Sequence, residues 1–216
     1  MPSTTIYDTE NQFNWQAKTT FNDDYGQVVS SDILYDSGLI TARYYSEGVL
    51  DRTELVDDQV DGGLFNWTSK TNYYSPNGDV TVRETFLDNG VIKVEDFAEG
   101  ARTQTFQYDN PNSAGDGVMS WEHIETYYDQ NGVLSERATF NDNGVLRVDS
   151  FTDGVRSQIF QYDNPNEAGD GVKSWDRIEA YYDQNGNLTE NATFYDNGIF
   201  RLTTYVEGQR ASVIEE

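Results

Sequence analysis

Apolar and polar residues alternate along short segments of this chain, and glycines interrupt the alternation at regular intervals. Between residues 120 and 162 the segments read SWEHIETYY, VLSERATF, VLRVDSF and VRSQIFQY, separated by DQNG, NDNG and TDG. A period of two predicts strands, because successive side chains point to opposite faces of a sheet. Asn-Gly and Asp-Gly between such runs predict tight reversals, since glycine accepts a positive φ without a Cβ clash. Alternation puts Trp121 and Tyr127 on one face of the first strand, with Ile124 and Tyr128 on the other. Leu134 and Phe140 fall together in the second strand, and in the third Val145 and Phe151 oppose Leu146 and Val148. Both faces thus carry apolar residues, which suits a sheet wetted on both sides badly.

The pattern recurs. Trp15, Trp67, Trp121 and Trp175 are 52, 54 and 54 residues apart, and a glycine follows each by 11 residues (Gly26, Gly78, Gly132, Gly186). Gly38, Gly90, Gly144 and Gly198 come 12 residues later, and Gly48, Gly100, Gly154 and Gly208 another 10. Four copies with the same internal spacings define a repeat protein. We read one repeat domain over 1–216, with units at approximately 9–54, 55–108, 109–162 and 163–216. Each unit reads as a four-stranded antiparallel meander, about 16 strands in all, and the fold class as all-β. Glycine every 10–12 residues together with the Thr, Val and Tyr content works against helix. Two architectures fit: an elongated, twisted repeat sheet, favoured by the uniform hairpin step, or a four-bladed β-propeller. TIYD at 5–8 matches the tail of a preceding fourth strand, as expected of a module from a longer repeat-containing protein, and also fits a ring-closing strand.

Composition narrows the function classes. Fourteen Lys+Arg against 38 Asp+Glu give a net charge of −24, a surface that repels nucleic acid and anionic membranes. It attracts cations or a basic protein, and it also favours solubility. Cysteine is absent, which excludes disulfides and thiolate metal sites. The start, MPSTTIYDTE, shows no basic region followed by an apolar stretch, so no classical signal peptide is read, and no segment is long and apolar enough to insert in a membrane.

YYDQNGVLSERATFNDNG (127–144) and YYDQNGNLTENATFYDNG (181–198) resemble the tyrosine-aspartate (Rhs-type) hairpin repeats of bacterial surface and toxin-shell proteins. They also resemble the MORN-type hairpins of some bacterial immunity proteins. The 54-residue unit is similar to repeats in large secreted RTX-type, haemolysin-like proteins. The nonapeptide GGxGxDxUx is missing, so that family's β-roll calcium sites do not carry over. The resemblance implies a secreted, non-enzymatic repeat module of a larger bacterial protein, and it supplies no catalytic residues.

Two sets of residues carry candidate chemistry. The loop DNPNSAGDG offers Asp109, Asn110, Asn112 and Asp116, and copy four offers Asp163, Asn164, Asn166 and Asp170. Ca²⁺ takes six to eight oxygens from such carboxylates, amides and backbone carbonyls. The same composition also makes an ordinary long turn, because these side chains satisfy local backbone groups. The second set is the tyrosine pairs Tyr44-Tyr45, Tyr73-Tyr74, Tyr127-Tyr128 and Tyr181-Tyr182, of which Tyr74, Tyr128 and Tyr182 are the candidate ligand contacts. Tyrosine is large, stiff and amphipathic, suited to a glycan or a protein partner, but cross-strand aromatics also simply stabilise sheets. The enzyme inventory is thin: His123 is the only histidine, and its place is taken by Arg177 in copy four. The expected function is a non-enzymatic spacer or binding surface with Ca²⁺ as its possible stabiliser. The alternatives are glycan or protein recognition through the tyrosines, and an acidic mimic or immunity protein that sequesters a basic partner.

Overall fold

The computed structural model describes residues 2–57, 65–109, 119–163 and 173–216. They contain seventeen strands and no helix. In order these are β1 (Ser3–Tyr7), β2 (Trp15–Asn22), β3 (Val28–Tyr35), β4 (Ile40–Ser46), β5 (Val49–Val56), β6 (Trp67–Tyr74), β7 (Val80–Leu87) and β8 (Ile92–Ala98). There follow β9 (Ala101–Tyr108), β10 (Trp121–Tyr128), β11 (Leu134–Asn141), β12 (Val145–Thr152) and β13 (Val155–Asp163). The last four are β14 (Trp175–Tyr182), β15 (Leu188–Tyr195), β16 (Phe200–Val206) and β17 (Gln209–Glu215). The all-β expectation holds, and the count exceeds sixteen by one because Ser3–Tyr7 pairs antiparallel with β2. The chain divides into two compact units, residues 1–102 and 103–216.

Within each unit, strands consecutive in sequence are neighbours in one open antiparallel sheet. The copies are not separate blades. Arg52–Val56 of copy one pairs with Ser69–Tyr73 of copy two. Likewise Gln104–Tyr108 pairs with His123–Tyr127, and Gln158–Tyr162 with Arg177–Tyr181. A propeller would part the sheet at these three boundaries, so the continuous ladders overturn that alternative.

The short reversals within a copy are of two kinds. At DQNG, Gly132 N–H donates to the Asp129 carbonyl at 2.9 Å and Asp129 N–H to the Val133 carbonyl at 2.8 Å. Gly132 alone carries a positive φ, 76°, so this is a three-residue loop closed by a left-handed glycine. The Asp129 carboxylate accepts the N–H groups of Asn131 (2.8 Å) and Val133 (2.9 Å). Those bonds, that from Val133 first, hold its carboxyl below the ordinary range. The TDG reversal differs: Asp153 and Gly154 have φ of 51° and 77°, and two consecutive positive values are what a type I′ turn requires. Glu47, Glu99 and Glu207 take the same left-handed place in the other copies.

Bulges recur at fixed places and change the expected faces. Trp121 stands opposite Asn141 while His123 stands opposite Phe140, so Glu122 is an extra residue. The phase flips there, and Trp121 shares its face with Ile124, not with Tyr127. That corrects the simple alternation. The same shift follows Trp15, Trp67 and Trp175. In the first two copies a lysine three residues on lies over the indole: Lys18 at 4.5 Å from the Trp15 centroid and Lys70 at 4.7 Å from that of Trp67.

Among the described residues no second layer covers the sheet within either unit, contrary to the expectation that apolar residues on both faces would demand one. Side chains shield one another along each face instead. In the second unit a cross-strand row runs Tyr108, His123, Phe140, Leu146, Tyr162, Arg177, Phe194, Phe200. His123 stacks on Phe140 with centroids 3.9 Å apart, and the Arg177 guanidinium lies 3.6 Å from the Phe194 centroid. Each such pair supplies a few tenths to about 1 kcal/mol. The opposite face buries threonines, among them Thr105 and Thr126, which sit directly across from each other. Most strand residues stay half-buried, and among the described residues only Val91, Thr105 and Asp163 fall to 2 % exposure.

Because a Cβ on Gly132 would meet no atom within 4 Å, replacing it tests backbone conformation alone. Gly132→Ala should lower stability by about 1–2 kcal/mol, the cost of a left-handed non-glycine residue, in urea unfolding followed by circular dichroism.

Candidate functional site

The acidic loops begin at an aspartate that closes each loop upon itself. Asp109 N–H donates to the Glu122 carbonyl at 3.0 Å, and the Asp109 carboxylate accepts Met119 N–H at 2.7 Å. Asp163 accepts Lys173 N–H in the same way, and Asp57 accepts Phe65 N–H at 3.1 Å. All three carboxylates are buried, Asp109 to 4 % exposure. Asp8 repeats the arrangement in the short loop of copy one, accepting from Gln12 (3.1 Å) and Phe13 (2.7 Å). Asp109 and Asp163 therefore latch the loop bases. The other six candidate ligands, Asn110, Asn112, Asp116, Asn164, Asn166 and Asp170, lie outside the described residues. Among the described residues no group of three or more His, Asp or Glu side chains is placed to hold a metal.

The tyrosine pairs split across the sheet. Tyr73 donates its hydroxyl to Glu84 at 3.3 Å on one face, while the Tyr74 hydroxyl meets Thr53 Oγ1 at 3.1 Å on the other. Tyr44, Tyr127 and Tyr181 likewise donate to Glu54 (3.1 Å), Glu125 (2.8 Å) and Glu179 (2.9 Å). The Glu125 and Glu179 bonds, with some burial, push Tyr127 and Tyr181 above their usual range. Both members of each pair are half-buried, rather than one being core and the other exposed.

Two grooves recur at the same place in the repeat. One, of about 350 Å³, lies between the Glu47-Gly48 turn and the start of the β6–β7 hairpin, lined by Ser46, Glu47, Val49, Leu50, Asp51, Tyr74, Ser75 and Pro76. The other, of about 290 Å³, lies between the Asp153-Gly154 turn and the β14–β15 hairpin, lined by Thr152, Asp153, Val155, Arg156, Ser157, Tyr182, Asp183 and Gln184. Tyr74 and Tyr182, singled out from the sequence, are wall residues of these grooves. Tyr128 is half-buried at the matching position of copy three. What the sequence pattern missed is that the other wall comes from the preceding copy's third hairpin. The signal was present in the left-handed acid-glycine pairs.

Sequence reasoning also missed two buried carboxylates. Glu95 and Asp149, each 4 % exposed, sit five residues after Gly90 and Gly144. Lys93 (2.9 Å), Arg102 (2.8 Å) and Arg83 (3.9 Å) surround Glu95. Arg147 and Arg156, each at 2.8 Å, grip Asp149, and the bond to Asp149 raises the Arg147 pKa further. A carboxylate held by two or three cations is a structural clamp.

No protein-family model matches the chain, and no curated protein matches it in sequence. The likeness to secreted bacterial repeats therefore rests on the hairpin motifs alone.

Removing the latch should loosen the loop base. Asp109→Ala should cost about 1–3 kcal/mol, the range for leaving buried donors unpaired, whereas Asp8→Ala, at a less buried site, should cost less. Paired urea titrations of the two variants measure the difference.

Proposed function

We propose that the chain is a non-enzymatic, extracellular β-repeat module that serves as a spacer and binding surface within a secreted bacterial protein. The observation that carries this reading is the equivalence of the copies. Three copy boundaries continue as ordinary strand pairs, and the same groove is built twice from the same repeat positions. Catalysis calls for a constellation that differs from its surroundings, and His123, the one titratable base special to a single copy, is packed on Phe140 within a cross-strand stack. Strand addition copy by copy extends such a module without new packing rules.

Recognition through the tyrosines is a second part of the reading. It is favoured by Tyr74 and Tyr182 each standing in a groove beside a left-handed acidic residue, Glu47 or Asp153.

As a spacer the array is an elongated, twisted sheet of four meanders. Small-angle scattering should then give a radius of gyration clearly above the roughly 17 Å of a compact domain of this length. A value at that figure would remove the spacer role. Calcium belongs to the proposal through the composition of the 109–117 and 163–171 loops. Millimolar Ca²⁺ should raise Tm by several degrees relative to chelator, with Mg²⁺ giving less. Equal melting curves in all three conditions would strike the metal from the proposal.

A further inference from the structure

We propose that the two recurrent grooves each take one or two rings of an uncharged polysaccharide. The proposal rests on the reading of the grooves as binding positions and adds the chemical class of the ligand. Both grooves combine an aromatic ring and a valine with a hydroxyl and a carboxylate: Tyr74, Val49, Ser46 and Glu47 in the first, Tyr182, Val155, Thr152 and Asp153 in the second. A volume near 300 Å³ is at the small end of ligand pockets. An apolar ring face can lie on the tyrosine while outward hydroxyls donate to the carboxylates, which accept hydrogen bonds and donate none. The tyrosine is held for this purpose in the first groove, where its hydroxyl is bonded to Thr53 Oγ1 at 3.1 Å, leaving the ring as a fixed wall.

Charge selects among ligands. An anionic sugar or phosphate needs an uncommitted cation. Among the described residues no lysine or arginine lines the first groove, and Arg156 in the second is committed to Asp149 at 2.8 Å. The net charge of −24 adds a general repulsion. A fixed tyrosine ring beside carboxylates that only accept hydrogen bonds fits a neutral polyol, whose ring face and hydroxyls use both features. A basic peptide, which the carboxylates would also draw, is the alternative that the basic arm of the test separates.

The test titrates the intact chain with gluco-, manno- and chito-tetraose, with a galacturonate tetramer as acidic arm and an arginine-rich peptide as basic arm, using tyrosine ring signals in NMR. We expect saturable shifts of Tyr74 and Tyr182 with at least one neutral tetramer and none with the acidic one. The Tyr74→Ala/Tyr182→Ala chain should lose affinity at least about tenfold, and the Tyr74→Phe/Tyr182→Phe chain, which keeps both rings, should retain most of it. Circular dichroism checks that both variants are folded. Salt-sensitive binding of the peptide alone would overturn the sugar assignment while leaving the grooves as binding positions. No shift with any of the three arms would overturn both.

Discussion

Cross-strand contact is the interaction on which everything else in this protein depends. Among the described residues of each unit a single sheet has no second layer to bury its faces, so a side chain is shielded by neighbours two residues away and on the adjoining strands. That condition favours wide, flat groups able to reach across about 5 Å, and the rows of Tyr, Phe, His and Arg supply them. It also explains the half-buried state of most strand residues. A conventional core would have removed some of them from water entirely, but here the shielding is lateral, and the backbone ladder carries the continuity.

The same geometry explains how so acidic a chain holds together. Carboxylates that lie inside the sheet surface are matched: Glu95 and Asp149 by two or three cations, Glu125 and Glu179 by tyrosine hydroxyls, Asp57, Asp109 and Asp163 by backbone N–H groups. Burying an unmatched carboxylate would be costly, so each matched one marks a place where the repeat supplies a donor. Other acids, among them Asp23, Asp129 and Asp183, sit in exposed reversals, where water screens them. A surface built this way can be lengthened by copying, with a groove where copy one's third hairpin stands beside copy two's first and another where copy three's stands beside copy four's.

The candidate site was partly legible. Tyr74 and Tyr182 stood out because paired tyrosines recur at one repeat position, and adjacent strand residues must face opposite ways. The grooves themselves were not legible, since their second wall comes from a hairpin more than 20 residues earlier in the chain. Asp109 and Asp163 were marked for their oxygens, yet the partners they meet are backbone donors at the far end of the loop, which no side-chain motif encodes. Glu95 and Asp149 escaped notice because in a chain with 38 acids only burial separates a clamped carboxylate from a solvated one.

Local chemistry was enough to determine the strands, their reversals and the repeat, because alternation and left-handed glycines act over two to four residues. It could not determine the side of the sheet on which Trp121 lies, since one bulge residue, Glu122, reverses the phase without altering the hydrophobic pattern. Nor could it decide between separate blades and continuous ladders. Both use the same strands and turns, and they differ only in whether the last strand of one copy finds the first strand of the next. That choice belongs to tertiary pairing: the free N–H and C=O groups along β5, β9 and β13 are satisfied by β6, β10 and β14.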